Sequence, residues 1–328
     1  MAIRTLDLFC GGGGSSWGAS SFGAEIVCGV DAWDIATLNY RDNFSGAKVV
    51  EARLDASSGR EVVGRIGPID LLLASPECTN HTCARGSRAR DEESRETALF
   101  VLNFIQLFKP RWIVIENVVQ MRAWPRYPEL IRELERSYFI RPQILDAVNF
   151  GVPQTRRRLF IVGDREEMPS DLSGQVHVAG RSAKSILDPK GTWDARPLFK
   201  VGRAKDTIIR ARRAMKALGE GVPFLIVYYG SDGAGGWQRI TRPLRTLTTL
   251  DRFGLVEWTQ GEPTLRMLQV PELKRAMGFP HSFKMNQGTR RDRIKLLGNG
   301  VCPPVIAALL GSLAKRREVS SSMAIAAE

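Results

Sequence analysis

Two residues that could take part in catalysis come at the ends of apolar, strand-like runs. Cys78 follows the run at 69–75, and Glu116 lies near the end of the run at 112–117. A cysteine thiolate is a strong nucleophile, and burial raises the pKa of a carboxylic acid toward the range of a general acid. Together they indicate covalent catalysis. Taken alone, a buried cysteine without chemistry and a glutamate that caps a turn are the simpler alternatives.

A pair of arginines precedes a third run, at 159–163. Arg156 and Arg158 alternate along the sequence, so an extended backbone points both side chains the same way. Guanidinium groups hold carbonyl oxygens and phosphates through charge-assisted hydrogen bonds. We expect both arginines to orient a substrate, and the alternative is a solvated or phosphate-binding pair.

The cysteine, the acid and the arginines together fit one reaction, the alkylation of cytosine at carbon 5. That carbon is a poor nucleophile until a thiolate adds to carbon 6 and makes the ring an enamine, which accepts an electrophilic methyl group. Cys78 would supply the thiolate, and Glu116 would protonate ring nitrogen 3. Arg156 and Arg158 would hold the ring in position for the attack.

A glycine-rich turn after the first strand-like run predicts a nucleoside cofactor. The run at 3–9 leads into Gly11 and the glycines that follow it, which permit positive φ angles and close approach of the backbone to a ligand. Asp31 closes the next run, where an acidic residue can bind ribose hydroxyls. The turn lacks the G-x-G-x-x-G spacing that cradles a pyrophosphate. S-adenosylmethionine is therefore favoured over a nicotinamide cofactor, and a solvated turn without a ligand is the other alternative.

Strand-like and helical patterns alternate over the first 163 residues, as in parallel sheets wrapped by helices. The predicted strands are 3–9, 25–31, 69–75, 112–117 and 159–163. The predicted helices begin after Gly14 and span 33–43, 94–108, 127–137, 205–218 and 303–314. From 165 to 241 the alternation gives way to basic sequence with glycine and proline. We expect a doubly wound α/β domain with its ligands at the carboxyl ends of the strands, and a second, smaller module.

The composition favours a polyanionic partner. The net charge is +12, from 47 Lys and Arg against 35 Asp and Glu, which favours nucleic acid over an anionic membrane surface. No run approaches the roughly 18 apolar residues of a membrane span, and the N-terminus lacks the pattern of a signal peptide, so we expect an intracellular protein. Five irregularly spaced cysteines predict reduced thiols rather than a disulfide framework.

Ordered motifs along nearly the whole chain resemble those of the DNA (cytosine-5) methyltransferases. The matching positions are 7–13, Asp31, Cys78, 116–118, 154–158, 242–249 and 298–304. The resemblance implies a Rossmann-like mixed sheet, S-adenosylmethionine as the cofactor, and methyl transfer through a Cys78 adduct to a cytosine flipped out of duplex DNA. It implies cofactor contacts by Asp7, Phe9, Gly11, Gly13, Asp31, Asp55, Asn299 and Val301, and DNA contacts by Arg85, Arg88 and Gln154.

The resemblance also implies how the chain is divided and where it works. Residues 1–164 would form the catalytic, cofactor-binding domain, and 165–264 a small inserted target recognition domain and hinge. Residues 265–317 would return to the catalytic domain as a packed helix, and 318–328 would be a disordered tail. We expect a monomer without a metal, acting on double-stranded DNA in the cytoplasm of a bacterial or phage-infected cell. A cognate restriction endonuclease is a candidate partner.

The sequence departs from the family pattern beside the nucleophile. The family usually has proline before the cysteine and glutamine after it, whereas this chain has Glu77 and Thr79. An ionised Glu77 next to the thiol would oppose thiolate formation. An altered rate, a different transferred group or target, and a catalytically silent DNA-binding protein stay open.

Other enzyme classes fit the sequence less well. A zinc deaminase would need an H-x-E sequence, which none of His81, His177 and His281 begins, and a P-C-x-x-C spacing that is absent at Cys78. A transfer RNA cytosine methyltransferase would share the catalytic core, but its Pro-Pro-Cys-Gln-Pro-Phe-Thr loop is missing. No Asp-Pro-Pro-Tyr tetrapeptide of amino-group methyltransferases occurs.

Overall fold

A seven-stranded sheet carries the larger part of the chain in the computed structural model, which describes residues 2–77, 92–174, 176–178, 181–229 and 235–325. Its strands are β1 (Arg4–Leu8), β2 (Glu25–Asp31), β3 (Lys48–Glu51), β4 (Leu71–Ala74), β5 (Trp112–Asn117), β6 (Phe139–Asp146) and β7 (Arg157–Asp164). Their order across the sheet is β3-β2-β1-β4-β5-β7-β6. The pairs β5·β7 and β7·β6 are antiparallel and the others are parallel. The sheet is thus the mixed α/β sheet that the sequence predicts.

Helices cover both faces of this sheet, and one further helix packs in the smaller module. In chain order the helices are α1 (Gly14–Ser21), α2 (Asp34–Asn43), α3 (Arg60–Val63), α4 (Glu92–Phe108), α5 (Tyr127–Glu135), α6 (Lys205–Leu218), α7 (Val270–Ala276), α8 (Arg290–Asn299) and α9 (Pro303–Ile325). The helix in the smaller module is α6. Apolar residues of α1, α2 and α9 pack on one face, and those of α3, α4 and α5 pack on the other. Because both faces are covered, the central strands β4 and β5 are buried throughout their length.

Two edge strands of the sheet were absent from the sequence prediction. The short strand β3 has only half-buried and exposed residues, so it lacks the apolar run of a central strand. In β6, Pro142 and neighbouring polar residues obscure the pattern, which suits an edge strand because proline cannot donate to a ladder. A following segment covers that edge, where Arg141 Nε donates to the Pro169 carbonyl at 2.6 Å.

A second, antiparallel sheet forms the smaller module, where the sequence indicated only one helix. Its strands are β8 (Arg196–Pro197), β9 (Phe224–Val227), β10 (Trp237–Arg239), β11 (Phe253–Thr259) and β12 (Glu262–Met267), in the order β10-β9-β11-β12-β8. Phe224 and Ile226 pack with α6 in a small cluster of their own. Leu225 and Val227, on the opposite face, join the cluster that contains α9 and the large sheet. The two modules therefore share one apolar core.

The C-terminal helix packs closely on α1. A Cβ atom at Gly18 would lie 2.7 Å from the Cβ of Ile306, so only glycine allows this approach. The helix runs to Ile325 and so extends into the range 318–328, where the sequence predicted a disordered tail. The physical reason is that residues 314–325 contain no proline or glycine and are rich in helix-forming residues.

One span of the described chain is long and apolar enough to cross a membrane, Arg290–Ala314. However, 61% of its most apolar window is buried inside the fold. The span also contains the break between α8 and α9 at Gly300. Both observations are those of core helices.

Candidate active site

A cleft of about 510 Å³ opens at the carboxyl ends of the central strands. Seven of the residues predicted from the sequence line it: Phe9, Gly11, Asp31, Glu116, Arg158, Asn299 and Val301. They come from β1, β2, β5, β7 and the turn between α8 and α9. The sheet thus gathers residues that are far apart in the sequence, because its parallel strands end at the edge where the antiparallel strand β7 begins.

The turn after β1 forms one wall of the cleft. Phe9 and Gly11 have positive φ angles of 54° and 52°, and the Gly11 backbone N–H donates to Asp31 Oδ2 at 2.8 Å. The Trp33 N–H donates to Asp31 Oδ1 at 2.9 Å. Burial raises the pKa of Asp31, while these backbone donors lower it. The two hydrogen bonds fix the carboxylate at the cleft wall.

Three predicted cofactor residues are not in the lining of the cleft. Asp7 is fully buried, where Ser16 Oγ donates to its Oδ2 at 2.6 Å and also lies 2.5 Å from the Tyr40 hydroxyl. Gly13 packs against the rings of Tyr40 and Phe44. Asp7 and Gly13 therefore support the turn after β1 from the side away from the cleft.

Asp55 also lies outside the lining of the cleft. It is exposed, and its Oδ1 accepts hydrogen bonds from Ser57 and Ser58 within a surface turn. These bonds lower the pKa of Asp55. Its predicted place at the cofactor is not seen, because the preceding residues 52–54 line the cleft instead.

The predicted acid and one predicted arginine meet in the cleft. Glu116 pairs with Phe160 across β5 and β7, which places Glu116 and Arg158 on the same face of the sheet. Arg158 Nε lies 3.2 Å from Glu116 Oε1, and both side chains are largely buried. Burial raises the pKa of Glu116, and the charges of Arg158 and Arg156 oppose that rise. A buried carboxyl with a raised pKa beside a cation is suited to hold or donate a proton.

Arg156 directly precedes β7 and is not in the lining of the cleft, so its predicted role in orienting the substrate is not seen. Its side chain is 2% exposed. It donates to the carbonyl of Leu247 at 3.0 Å and to those of Gly298 and Gly300 at 2.7 and 2.9 Å. Three backbone acceptors therefore hold this guanidinium inside the protein.

Gln154, predicted to contact DNA, is fully buried. Its Nε2 donates to the Ala276 carbonyl at 3.0 Å, and its Oε1 accepts from the Leu247 N–H at 2.8 Å. The structure does not support the predicted DNA contact, because both ends of the amide form hydrogen bonds inside the protein. Gln154 links two distant segments of the chain.

Asn117 fixes the backbone two residues before the predicted nucleophile. Its Nδ2 donates to the Pro76 carbonyl at 3.1 Å, and its Oδ1 accepts from the Val118 N–H at 2.8 Å. Pro76 and the exposed Glu77 line the cleft. The predicted residues Cys78, Arg85 and Arg88 lie outside the described residues.

Trp33 and Lys295 are among the lining residues that the sequence prediction did not name. The Trp33 ring lines the cleft, and Lys295 Nζ lies 4.2 Å from its centroid. Trp33 follows Asp31 by two positions, so an aromatic residue just after the predicted ribose ligand was an available signal. Nothing in the local pattern marks Lys295, because α8 brings it to the cleft from the far end of the chain.

The described cysteines and acidic residues show no metal centre. No group of three or more potential metal ligands occurs in the part of the chain that the structure describes. Cys10, Cys28 and Cys302 are buried free thiols. Burial raises the pKa of Cys28 and of Cys302 to about 11, so these two thiols are poor nucleophiles.

Comparison with solved structures shows the same fold elsewhere. A DNA modification methyltransferase encoded within an E. coli prophage has a TM-score of 0.69 at 17% identity, over 96% of this chain and 99% of that chain. A mutant of Spodoptera frugiperda DNMT2 has a TM-score of 0.69 at 19% identity, over 95% and 99% of the two chains. At these identities the likeness shows the fold alone.

Comparison with known sequences identifies the family. The type II methyltransferase M.HgiDI of Herpetosiphon aurantiacus is 29% identical over 320 residues, covering 91% of this chain and 90% of that protein. M.FnuDI of Fusobacterium nucleatum is 23% identical over 325 residues, with coverage of 91% and 90%. A sequence model of the family described as C-5 cytosine-specific DNA methylase matches residues 3–315. Because that match runs through both sheets and the cleft, the chain belongs to the C-5 cytosine-specific DNA methylase family and is a DNA cytosine methyltransferase.

Proposed function

We propose that this enzyme transfers a methyl group from S-adenosylmethionine to carbon 5 of a cytosine flipped out of duplex DNA, through a covalent adduct with Cys78. The observation that carries the proposal is the buried pair of Glu116 and Arg158, which faces the cleft beside the cofactor turn. An acid and a cation side by side match the ring nitrogen and the carbonyl oxygen of cytosine.

The residues of the cleft fit an adenosine cofactor. A Cβ atom at Gly11 would meet nothing within 4 Å, so the glycine leaves open space at the wall of the cleft. Asp31 offers carboxylate oxygens to ribose hydroxyls, and the Trp33 ring offers an apolar surface to the adenine. Asn299 and Val301 also line the cleft. The bound cofactor supplies an electrophilic methyl group.

The protein's own groups would activate the base. A cytosine stacked in a duplex cannot reach a buried cleft, so it must be flipped out, as in other enzymes that act on bases. The Cys78 thiolate forms a bond to carbon 6, and the electron pair displaced from the 5,6 double bond moves toward nitrogen 3. Glu116 donates its proton there, and Arg158 holds the carbonyl oxygen.

The second half of the reaction restores the aromatic ring. Carbon 5 takes the methyl group, which leaves S-adenosylhomocysteine as the product of the cofactor, and a base then removes the proton from carbon 5. The electron pair of that C–H bond re-forms the double bond as the sulfur leaves carbon 6, and Glu116 recovers its proton from nitrogen 3. No oxidant or reductant is needed.

The proposed reaction also implies a partner and a place of action for the enzyme. Double-stranded DNA is the substrate, Arg85 and Arg88 contact its phosphates, and the enzyme acts as a monomer in the cytoplasm. The relatives are named type II methyltransferases, and a restriction-modification role with a cognate endonuclease follows from that likeness. Glu77 would slow thiolate formation where its charge faces Cys78.

Trapping on a modified base tests the proposal. The protein is incubated with S-adenosylmethionine and duplex DNA that carries 5-fluorocytosine, in which fluorine replaces the proton that must leave. A complex that survives denaturation is expected with the wild type, and none with Cys78→Ala. Cys83→Ala is the matched control and should still form the complex. Absence of a complex across varied duplexes, or its formation with matched RNA alone, would overturn the proposed substrate.

A further inference from the structure

The buried Arg156 joins two parts of the chain that are separate in the sequence. One is the connection between β10 and β11 of the smaller module, through the Leu247 carbonyl. The other is the turn between α8 and α9, through the carbonyls of Gly298 and Gly300. The two carbonyls of that turn flank Asn299, which lines the cleft. One guanidinium therefore holds the smaller module to the turn at Asn299, which lines the cleft.

The same two segments also touch through their backbones. A Cβ atom at Gly298 would lie 2.5 Å from the backbone nitrogen of Thr249 and would overlap the backbone of Thr248. Only glycine permits this approach. Gln154 holds the first of these segments to α7, since its Oε1 accepts from the Leu247 N–H at 2.8 Å and its Nε2 donates to the Ala276 carbonyl. The contact is thus independent of Arg156 and is reinforced by it.

We propose that Arg156 is a positioning residue that ties the smaller module to the turn at Asn299, so that the position of the module sets the affinity of the cofactor site. This inference rests on the proposed function, in which the cleft binds S-adenosylmethionine and the module engages DNA. DNA bound to the smaller module would fix the position of residues 247–249. Through Arg156 it would also fix the position of the turn at Asn299. Arg156 acts through the backbone and not by touching the cytosine.

The variant Arg156→Lys tests the inference while keeping the positive charge. A lysine ammonium is a compact donor without the planar fork, so it cannot reach the carbonyls of both segments. We expect the Kd of S-adenosylhomocysteine, measured by calorimetry, to rise roughly tenfold or more. At saturating S-adenosylmethionine, the single-turnover methylation rate should stay within about threefold of wild type. Arg157→Lys, at an exposed neighbouring position, is the matched control.

Bound DNA provides a readout that a merely structural role would not move. Wild-type enzyme should bind S-adenosylhomocysteine more tightly in the presence of duplex DNA, by about fivefold or more. In Arg156→Lys that factor should fall to near one. An equal factor in both proteins, or none in the wild type, would overturn the inference. A lost methylation rate with unchanged cofactor affinity would also overturn it and would return Arg156 to the substrate.

A second variant keeps the inference testable if Arg156→Lys does not fold. Gly298→Ala displaces the Thr248 backbone from the other side, and it should weaken S-adenosylhomocysteine binding although Arg156 is intact. Where both variants fold, their effects should not add, because they act on one contact. Additive effects would contradict the inference that Arg156 and Gly298 act on the same contact. Failure of the wild type to bind S-adenosylhomocysteine would instead refute the proposed function.

Discussion

The pair of Glu116 and Arg158 brings opposite influences to a single carboxyl group. Burial raises the pKa of Glu116, and the guanidinium of Arg158 works against that rise. In the proposed mechanism Glu116 must carry its proton during attack on the base, so the methylation rate should fall as the pH rises through this pKa. The arginine therefore limits how high the pH can rise before the rate falls.

Replacing Arg158 should move this upper pH limit. In Arg158→Gln the larger of the two opposing charges is gone, so the pKa of Glu116 rises further and the fall of the methylation rate shifts to higher pH. The rate itself should fall, because the contact to the base is lost. Glu116→Gln should lower kcat by roughly 100-fold or more. Single-turnover rates measured over a series of pH values check both, and a fall of the rate at an unchanged pH in Arg158→Gln would contradict the assignment of Glu116.

Asp7 should make the stability of the protein depend on pH. Burial raises its pKa to about 7, with the hydrogen bond from Ser16 acting in the opposite direction. A carboxyl with a raised pKa in the folded state contributes stability at low pH, and this contribution is lost as the pH rises from about 4 to about 7. The loss is at most about 4 kcal/mol for a shift of some three units.

The variant Asp7→Asn isolates this effect. Urea unfolding between pH 4 and pH 8 should show a smaller loss of the free energy of unfolding with pH than in the wild type. The difference between the two proteins should grow up to pH 7 and then level off. Parallel stability curves would mean that Asp7 is not a buried, titrating acid.

At the scale of the elements, glycine decides how closely α9 approaches α1. Gly18→Ala would place a methyl group against Ile306 and the Pro303 carbonyl. We expect the free energy of unfolding to fall by roughly 2 kcal/mol or more, because a packed interface cannot absorb the added volume. Gly46→Ala is the control, since its Cβ would meet nothing within 4 Å, and its effect should stay within about 0.5 kcal/mol. Equal effects in chemical denaturation would contradict close packing at Gly18.

The central elements could be predicted from the sequence because their residues carry local patterns. The boundaries of β2 and β5 agree with the prediction at both ends, since apolar runs end there at polar residues. The edge strands β3 and β6 and the second sheet lack such runs. Their pairing is decided by neighbours far away in the sequence.

The same distinction separates the site residues. Glu116 and Arg158 could be placed in one cleft because strand order and alternation bring them there. The burial of Arg156 and Gln154 could not be predicted, because it depends on carbonyl and amide groups about 90 and 140 residues further along the chain. Motifs give the residue types, and tertiary packing decides which of them reach the cleft.

At the scale of the whole molecule, the two modules share their core. Leu225 and Val227 of the second sheet belong to the same cluster as Leu309 and Leu310 of α9. We expect one cooperative transition on heating, with a calorimetric enthalpy equal to the van't Hoff enthalpy. Two resolved transitions in scanning calorimetry would instead show modules that fold separately.

The net charge of +12 should make DNA binding strongly dependent on salt. Phosphate contacts release counterions, so the logarithm of the association constant should fall with the logarithm of the salt concentration, with a slope of roughly −4 or steeper. Fluorescence anisotropy with a short duplex measures this slope. Binding of S-adenosylhomocysteine serves as the control and should change little. A shallow slope for DNA would assign the excess charge to another purpose.

The antiparallel register of β5 and β7 restricts how this chain can diverge. Side chains alternate from face to face along a strand, so a shift of β7 by one residue against β5 would turn Arg158 away from Glu116. A shift by two residues would restore the face but move the guanidinium by about 7 Å along the strand. The connection from Asp164 to β8 has no strand register of this kind to keep. Descendants of this enzyme can therefore gain and lose length beyond β7, whereas at the acid–arginine pair they can change only by substitution.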